Sequence, residues 1–118
     1  MEDTSKRVIV VGSGSAALTA ALAAKEAGLE PLVLESTDLV GGSSAMSGGG
    51  LWIPNNALML KAGVSDSYEN ARLYIDKVIG DVGPASSPER RSAFLEQGPR
   101  MIEWLSGLGF RFSYTPGY

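Results

Sequence analysis

Val8-Ile9-Val10-Val11-Gly12-Ser13-Gly14-Ser15-Ala16-Ala17 decides the fold of this 118-residue chain. Four β-branched residues in a row, closed by a glycine, describe a short strand buried on both faces, as in a parallel sheet. The stretch 14–27 that follows carries seven alanines, with Leu18 and Leu22 one turn apart, and stops at Gly28. That pattern predicts a helix whose small-residue face lies close on a sheet and whose end is a left-handed glycine. Pro31 opens a second apolar run, Leu32-Val33-Leu34, which ends at Glu35. Two strands joined through a helix make a βαβ unit, so the class is α/β.

The turn between strand and helix reads G-x-G-x-x-A, and each position has a mechanical reason. Gly12 turns tightly out of the strand, Gly14 lets the backbone approach a pyrophosphate, and Ala17 keeps the helix near the sheet. The amides of 12–17 and the positive end of the helix dipole then face an anion. Glycines serving packing alone are the alternative. Against it stands Glu35, about 20 residues on, where an acidic side chain meets the ribose of a dinucleotide. A 2′-phosphate would be repelled there, and no Arg follows to hold one, so NADP is disfavoured.

From Ser36 to Asn56 the sequence turns to glycine and serine without a period. Gly41-Gly42-Ser43-Ser44 and Ser47-Gly48-Gly49-Gly50 provide two clusters where backbone can pass close to something flat or anionic. Leu51-Trp52-Ile53-Pro54 anchors the stretch, which argues against a mobile surface loop. An NAD-binding βαβ unit is a standing alternative, but it explains neither glycine cluster.

Downstream the pattern is helical. Asp66, with Glu69 three residues on, resembles a capping box, and Ala71, Tyr74, Ile75, Val78 and Ile79 recur at helical spacing. Ser87-Pro88 opens another helix, which Gly98-Pro99 breaks or restarts, and a strand is expected from Phe110 to Tyr114. Tyr68, Tyr74 and Tyr114 read as packing residues. Arg72, Lys77, Arg90 and Arg91 read as solvated charge on polar helix faces. The division expected is a βαβ unit with its glycine loop over 1–56 and a helical continuation over 57–118.

Composition removes whole classes of chemistry. The net charge is −3, from 10 Lys plus Arg against 13 Asp plus Glu, and offers no basic footprint for nucleic acid. Without a single Cys or His, the chain holds no thiolate or imidazole ligand and no Ser/His or Cys/His pair, so no metal site is expected. Glycine is the outlier at 15 residues, eight of them in the first fifty, which places the unusual backbone in the first half. Lys6-Arg7 before an apolar run looks superficially like a secretory leader, but Gly12-Ser13-Gly14-Ser15 interrupts it and Lys25-Glu26 follows. A cytoplasmic protein without a membrane span is the expectation.

Taken together, Val8 to Gly14, Leu34-Glu35 and the run from Val40 to Asn56 resemble the FAD-binding start of the fumarate reductase/succinate dehydrogenase flavoprotein superfamily. Within it, Ser47 to Asn56 with Ile79-Gly80-Asp81 is most similar to 3-ketosteroid Δ1-dehydrogenases. The resemblance runs through Gly98-Pro99 to Tyr114-Thr115-Pro116-Gly117-Tyr118 and implies an incomplete part of a larger two-domain flavoprotein. It implies that Gly12, Ser13, Gly14, Ser15, Ala16 and Ala17 hold the FAD pyrophosphate and that Glu35 with Ser36 holds the adenosine ribose. Gly42, Ser43, Ser44, Ser47, Gly48 and Gly49 would run past the flavin, with Gly50 bordering a steroid pocket and Tyr118 at its mouth. In such enzymes a 3-ketosteroid gives hydride to flavin N5 while a tyrosine base takes the neighbouring proton. Their first active-site tyrosine follows the position of Tyr118, so no catalytic residue is expected among these 118. A fumarate-reductase-like enoate reductase and an inactive FAD-binding or interaction fragment are the alternatives. The partners implied are a small steroid and the remainder of the enzyme.

Overall fold

A computed structural model describes residues 6–116, and the expectation for Tyr118 lies outside the described residues. The chain forms two compact units, Met1–Leu51 and Trp52–Tyr118.

In the first unit, strand β1 (Arg7–Val11) leads through the twelve-residue helix α1 (Ser15–Glu26) to strand β2 (Glu30–Leu34). The strands pair in parallel, from Arg7 opposite Glu30 to Val11 opposite Leu34. Gly12 extends the ladder by one bond, its amide donating to the Leu34 carbonyl at 2.7 Å. Helix α1 closes on Gly28 in a Schellman arrangement: the Leu29 amide reaches the Ala24 carbonyl at 2.9 Å and the Gly28 amide reaches Lys25 at 3.0 Å.

Burial of the strands departs from expectation. Only the face bearing Val10, packed under α1 with Ala21, is covered. The other face shows Ile9 at 61%, Val11 at 82%, Leu32 at 42% and Leu34 at 48% exposure. A continuous apolar run reports that both faces of a strand need cover, and among the described residues only one layer is supplied.

The loop after β2 contains a short helix, α2 (Gly42–Met46), which the run of glycine and serine concealed. Gly41 precedes it at φ 116°, and a Cβ there would stand 2.6 Å from that of Ala45, so only glycine fits this corner.

The second unit is helical: α3 (Ala57–Lys61), α4 (Tyr68–Ile79), a 3₁₀ turn (Pro84–Ser86) and α5 (Pro88–Gly107). Asn56 caps α3, its Oδ1 accepting the Leu58 and Met59 amides at 3.0 and 3.1 Å. The residue capping α4 is Ser67, which takes the Asn70 amide at 3.1 Å, and not Asp66. The Asp66 carboxylate is drawn away to the Asn55 and Ser67 amides, each at 2.8 Å, and ties the Pro54–Asn56 turn to the start of α4. Ser87 caps α5 with Pro88 in its first turn, as read from the sequence.

Gly98-Pro99 does not interrupt α5. Proline disfavours helix in the residue before it by clashing with that residue's Cβ, and Gly98 has none. Leu95, Gly98, Ile102 and Leu105 repeat at spacings of three and four and are all buried, so packing along one face carries the helix through the missing donor. Ala71 and Ile75 of α4 meet Leu95 in the core, with Tyr68 packed beside them. Trp52 stacks on Phe94 at 6.0 Å between ring centroids and tilts against Tyr74 at 5.5 Å. No strand forms at 110–114; the Phe110 and Phe112 rings stack at 6.2 Å, but the segment finds no ladder partner among the described residues. Arg72 and Arg91 are not solvated charges. Both reach Asp76, at 2.8 and 2.9 Å, and Arg91 also donates to the carbonyls of Gly80 and Ser86.

Candidate cofactor site

The site grows from the end of β1. Gly12 leaves the strand at φ 90°, a corner open to glycine, and Ser13 then turns inward until it is 2% exposed. Its hydroxyl donates to Glu35 Oε2 and accepts the Gly41 amide at 2.9 Å. Gly14 is the residue before α1, and the helix opens with three amides that have no partner within it. Ser44 Oγ accepts the first, from Ser15, at 3.0 Å. The amides of Ala16 and Ala17 have no acceptor among the described residues. Two free N–H groups at the positive end of a twelve-residue helix are what a pyrophosphate needs.

Glu35 stands just past β2. Its Oε1 accepts the Ser36 amide at 2.8 Å and the Thr37 amide at 3.1 Å, and among the described residues its Oε2 accepts only the Ser13 hydroxyl. Chiefly the Ser13 bond, then the Thr37 amide, lower its pKa from 4.5 to about 2. The side chain is therefore an acceptor at any physiological pH, and Oε2 keeps a lone pair for a further donor.

The glycine loop meets this site in a way the sequence did not indicate. Ser44, expected past the flavin, sits at the opening of α1, where its hydroxyl also donates to Ser15 Oγ at 3.1 Å. Gly14 lies close enough that a Cβ would touch Ser44 Oγ at 3.5 Å. Gly42 and Ser43 lie in α2 and are exposed. Ser47 Oγ donates to the Ser44 carbonyl at 2.8 Å and accepts the Gly49 amide at 3.1 Å. Around Gly48, Gly49 and Gly50 a Cβ would meet nothing within 4 Å, so among the described residues that stretch is open on its Cβ side. Ser36 joins the Glu35 cluster, and Ala16 and Ala17 take part through their amides alone. Thr37 was not singled out in the sequence, and Gly41, expected only as part of a glycine cluster, gives its amide to Ser13. The available signal was Ser-Thr directly after an acidic residue, a pattern whose backbone amides fold onto the carboxylate. The donor set fits FAD: free amides for the phosphates, a fixed carboxylate for the ribose, and open glycine backbone beyond.

An α/β unit with this turn, carboxylate and glycine loop defines the dinucleotide-binding part of a flavoprotein. The chain belongs to the family described as FAD binding domain, whose model matches residues 7–117. It is 44% identical over 112 residues to a 3-oxosteroid 1-dehydrogenase of Mycolicibacterium smegmatis, covering 94% of this chain and 19% of that protein. The structure of 3-ketosteroid Δ1-dehydrogenase from Sterolibacterium denitrificans in complex with 1,4-androstadiene-3,17-dione superposes with a TM-score of 0.74 at 41% identity, over 84% of this chain and 17% of that one. A 3-ketosteroid-Δ4-(5α)-dehydrogenase from Rhodococcus jostii RHA1 in complex with 4-androstene-3,17-dione matches with a TM-score of 0.77 at 29% identity, over 95% and 24%. The chain thus spans about a fifth of the length of its relatives. Among the described residues no helix is long and apolar enough to cross a membrane.

Proposed function

We propose that this chain supplies the FAD-holding half of the site in a flavin-dependent dehydrogenase of 3-ketosteroids, oxidising the bond between C1 and C2. The carrying observation is the pairing of free α1 amides with a carboxylate fixed at the end of β2, in a chain 44% identical to a 3-oxosteroid 1-dehydrogenase. In this reading Ala16 and Ala17 bind the pyrophosphate through their amides, Ser15 and Ser44 close that end, and Glu35 with Ser36 holds the adenosine ribose. Gly48 and Gly49 pass the flavin, Gly50 borders the steroid, and Tyr118 lines the pocket mouth. FAD, when bound, supplies the two-electron acceptor that no side chain here provides. The proton-accepting tyrosine belongs to sequence beyond this chain. A division at 1–56 and 57–118 and a cytoplasmic location form part of the same reading, the latter supported by the glycine break in the first apolar run.

Purified protein mixed with FAD is expected to show a bound-flavin spectrum. With an artificial electron acceptor, the complete protein should oxidise androstenedione and leave succinate untouched. Turnover of succinate in place of the steroid would overturn the substrate assignment, and failure to take up FAD would overturn the whole reading.

A further inference from the structure

We infer that the Ser13 side chain has a positioning role: its hydroxyl aims Glu35 at the ribose and pins the glycine loop, and does not itself contact the pyrophosphate. The inference rests on the FAD reading above and refines one of its residues. Ser13 occupies the variable position of the glycine turn, where any small residue satisfies the backbone path. Its side chain is nonetheless the most buried polar group described, at 2% exposure, and its one donor and one acceptor position are engaged inside the protein. The Gly41 amide donates to Ser13 Oγ at 2.9 Å, and the Ser13 hydroxyl donates in turn to Glu35 Oε2. The chain of donors runs one way, from the corner before α2, through the turn after β1, to the carboxylate after β2. A hydroxyl has one proton, and this one is committed to Glu35, so none remains for a phosphate oxygen.

The consequence is chemical. Glu35 Oε1 is held by the amides of its own neighbours, at 2.8 and 3.1 Å, whereas Oε2 is held by Ser13 alone. Without that hydroxyl the carboxylate keeps its charge and its Oε1 contacts, but no group among the described residues directs Oε2. The oxygen meant for the ribose loses its direction, while the amides of Ala16 and Ala17 are untouched. Ser13 thus governs recognition of the sugar, and the helix end governs recognition of the phosphates.

The test measures ligand affinity of the full chain stripped of flavin, for wild type, Ser13→Ala, Glu35→Gln and the double variant. ADP and 2′-deoxy-ADP serve as probes beside FAD, because they share phosphates and differ at the hydroxyl an acidic residue binds. A charge-assisted hydrogen bond corresponds to roughly a tenfold preference or more for ADP. Ser13→Ala is expected to collapse that preference toward one, with binding of 2′-deoxy-ADP changed less than about twofold. The double variant should bind FAD no more weakly than Glu35→Gln alone. Equal losses for both probes, with effects of Ser13→Ala and Glu35→Gln that multiply, would show a direct phosphate contact and overturn the inference. Unchanged affinity in Ser13→Ala would also overturn it. If wild type binds neither FAD nor ADP, the FAD reading itself fails, a result distinct from either.

Discussion

Glu35 shows how much of the candidate site is hydrogen-bond geometry around a single carboxylate. Its folded pKa of about 2 lies below the ordinary 4.5, so the folded state binds its proton less readily than the unfolded chain. Its contribution to stability is therefore complete above about pH 5 and fades as the pH falls from 4.5 toward 2. Acid titrations of unfolding should show wild type and Glu35→Gln separated by a constant gap at neutral pH, with the gap closing across that window. FAD affinity should be flat from pH 5 to 8 as far as Glu35 is concerned, because no proton is exchanged there. Gly41 makes a backbone case of the same kind. Gly41→Ala forces a side chain into φ 116° and into a 2.6 Å approach to Ala45, and should lower stability by about 1–3 kcal/mol in chemical denaturation.

Among the elements, the connection from α4 to α5 is held by Arg91, whose side chain is only 11% exposed. Its guanidinium meets Asp76 of α4, the Ser86 carbonyl and hydroxyl, and the Gly80 carbonyl, so five fixed N–H groups span three segments. Arg91→Ala should lower the Tm, with a loss on the order of 1–3 kcal/mol, and Arg91→Lys should recover little because one ammonium cannot reach all of these acceptors. The sequence concealed this latch, since a cation on a polar helix face looks the same whether it is solvated or engaged. By contrast, β1, α1 and β2 were readable because propensity, glycine placement and apolar runs agree over a span short enough for local signals to govern. The start of α4 was misread by one residue: Asp66 and Ser67 are both good caps, and the choice fell to Asn55, eleven positions away, which claims the carboxylate. The expected strand at 110–114 and break at Pro99 failed for one reason. Each depends on what a distant segment offers, a ladder partner in one case and a buried seam in the other.

At the scale of the whole molecule, the exposed apolar face of the sheet dominates the solution behaviour expected of these 118 residues alone. Ile9, Val11, Leu32 and Leu34 lie side by side on a parallel pair whose outer edges are also unpaired among the described residues. The isolated chain should self-associate at micromolar concentration, seen as a sedimentation coefficient that rises with loading. A cooperative melt of a flavin-free monomer would contradict this. Helix α5 carries a last consequence. Pro99 gives the Leu95 carbonyl no amide to accept, so the rod is chemically continuous but lacks one rung. On one side of the gap Leu95 is locked to α4, and on the other Ile102 and Ser106 face Ala57 and Leu58 of α3. Deuterium uptake should therefore split the helix into two zones with different opening free energies, so that heating frees one half while the other remains protected.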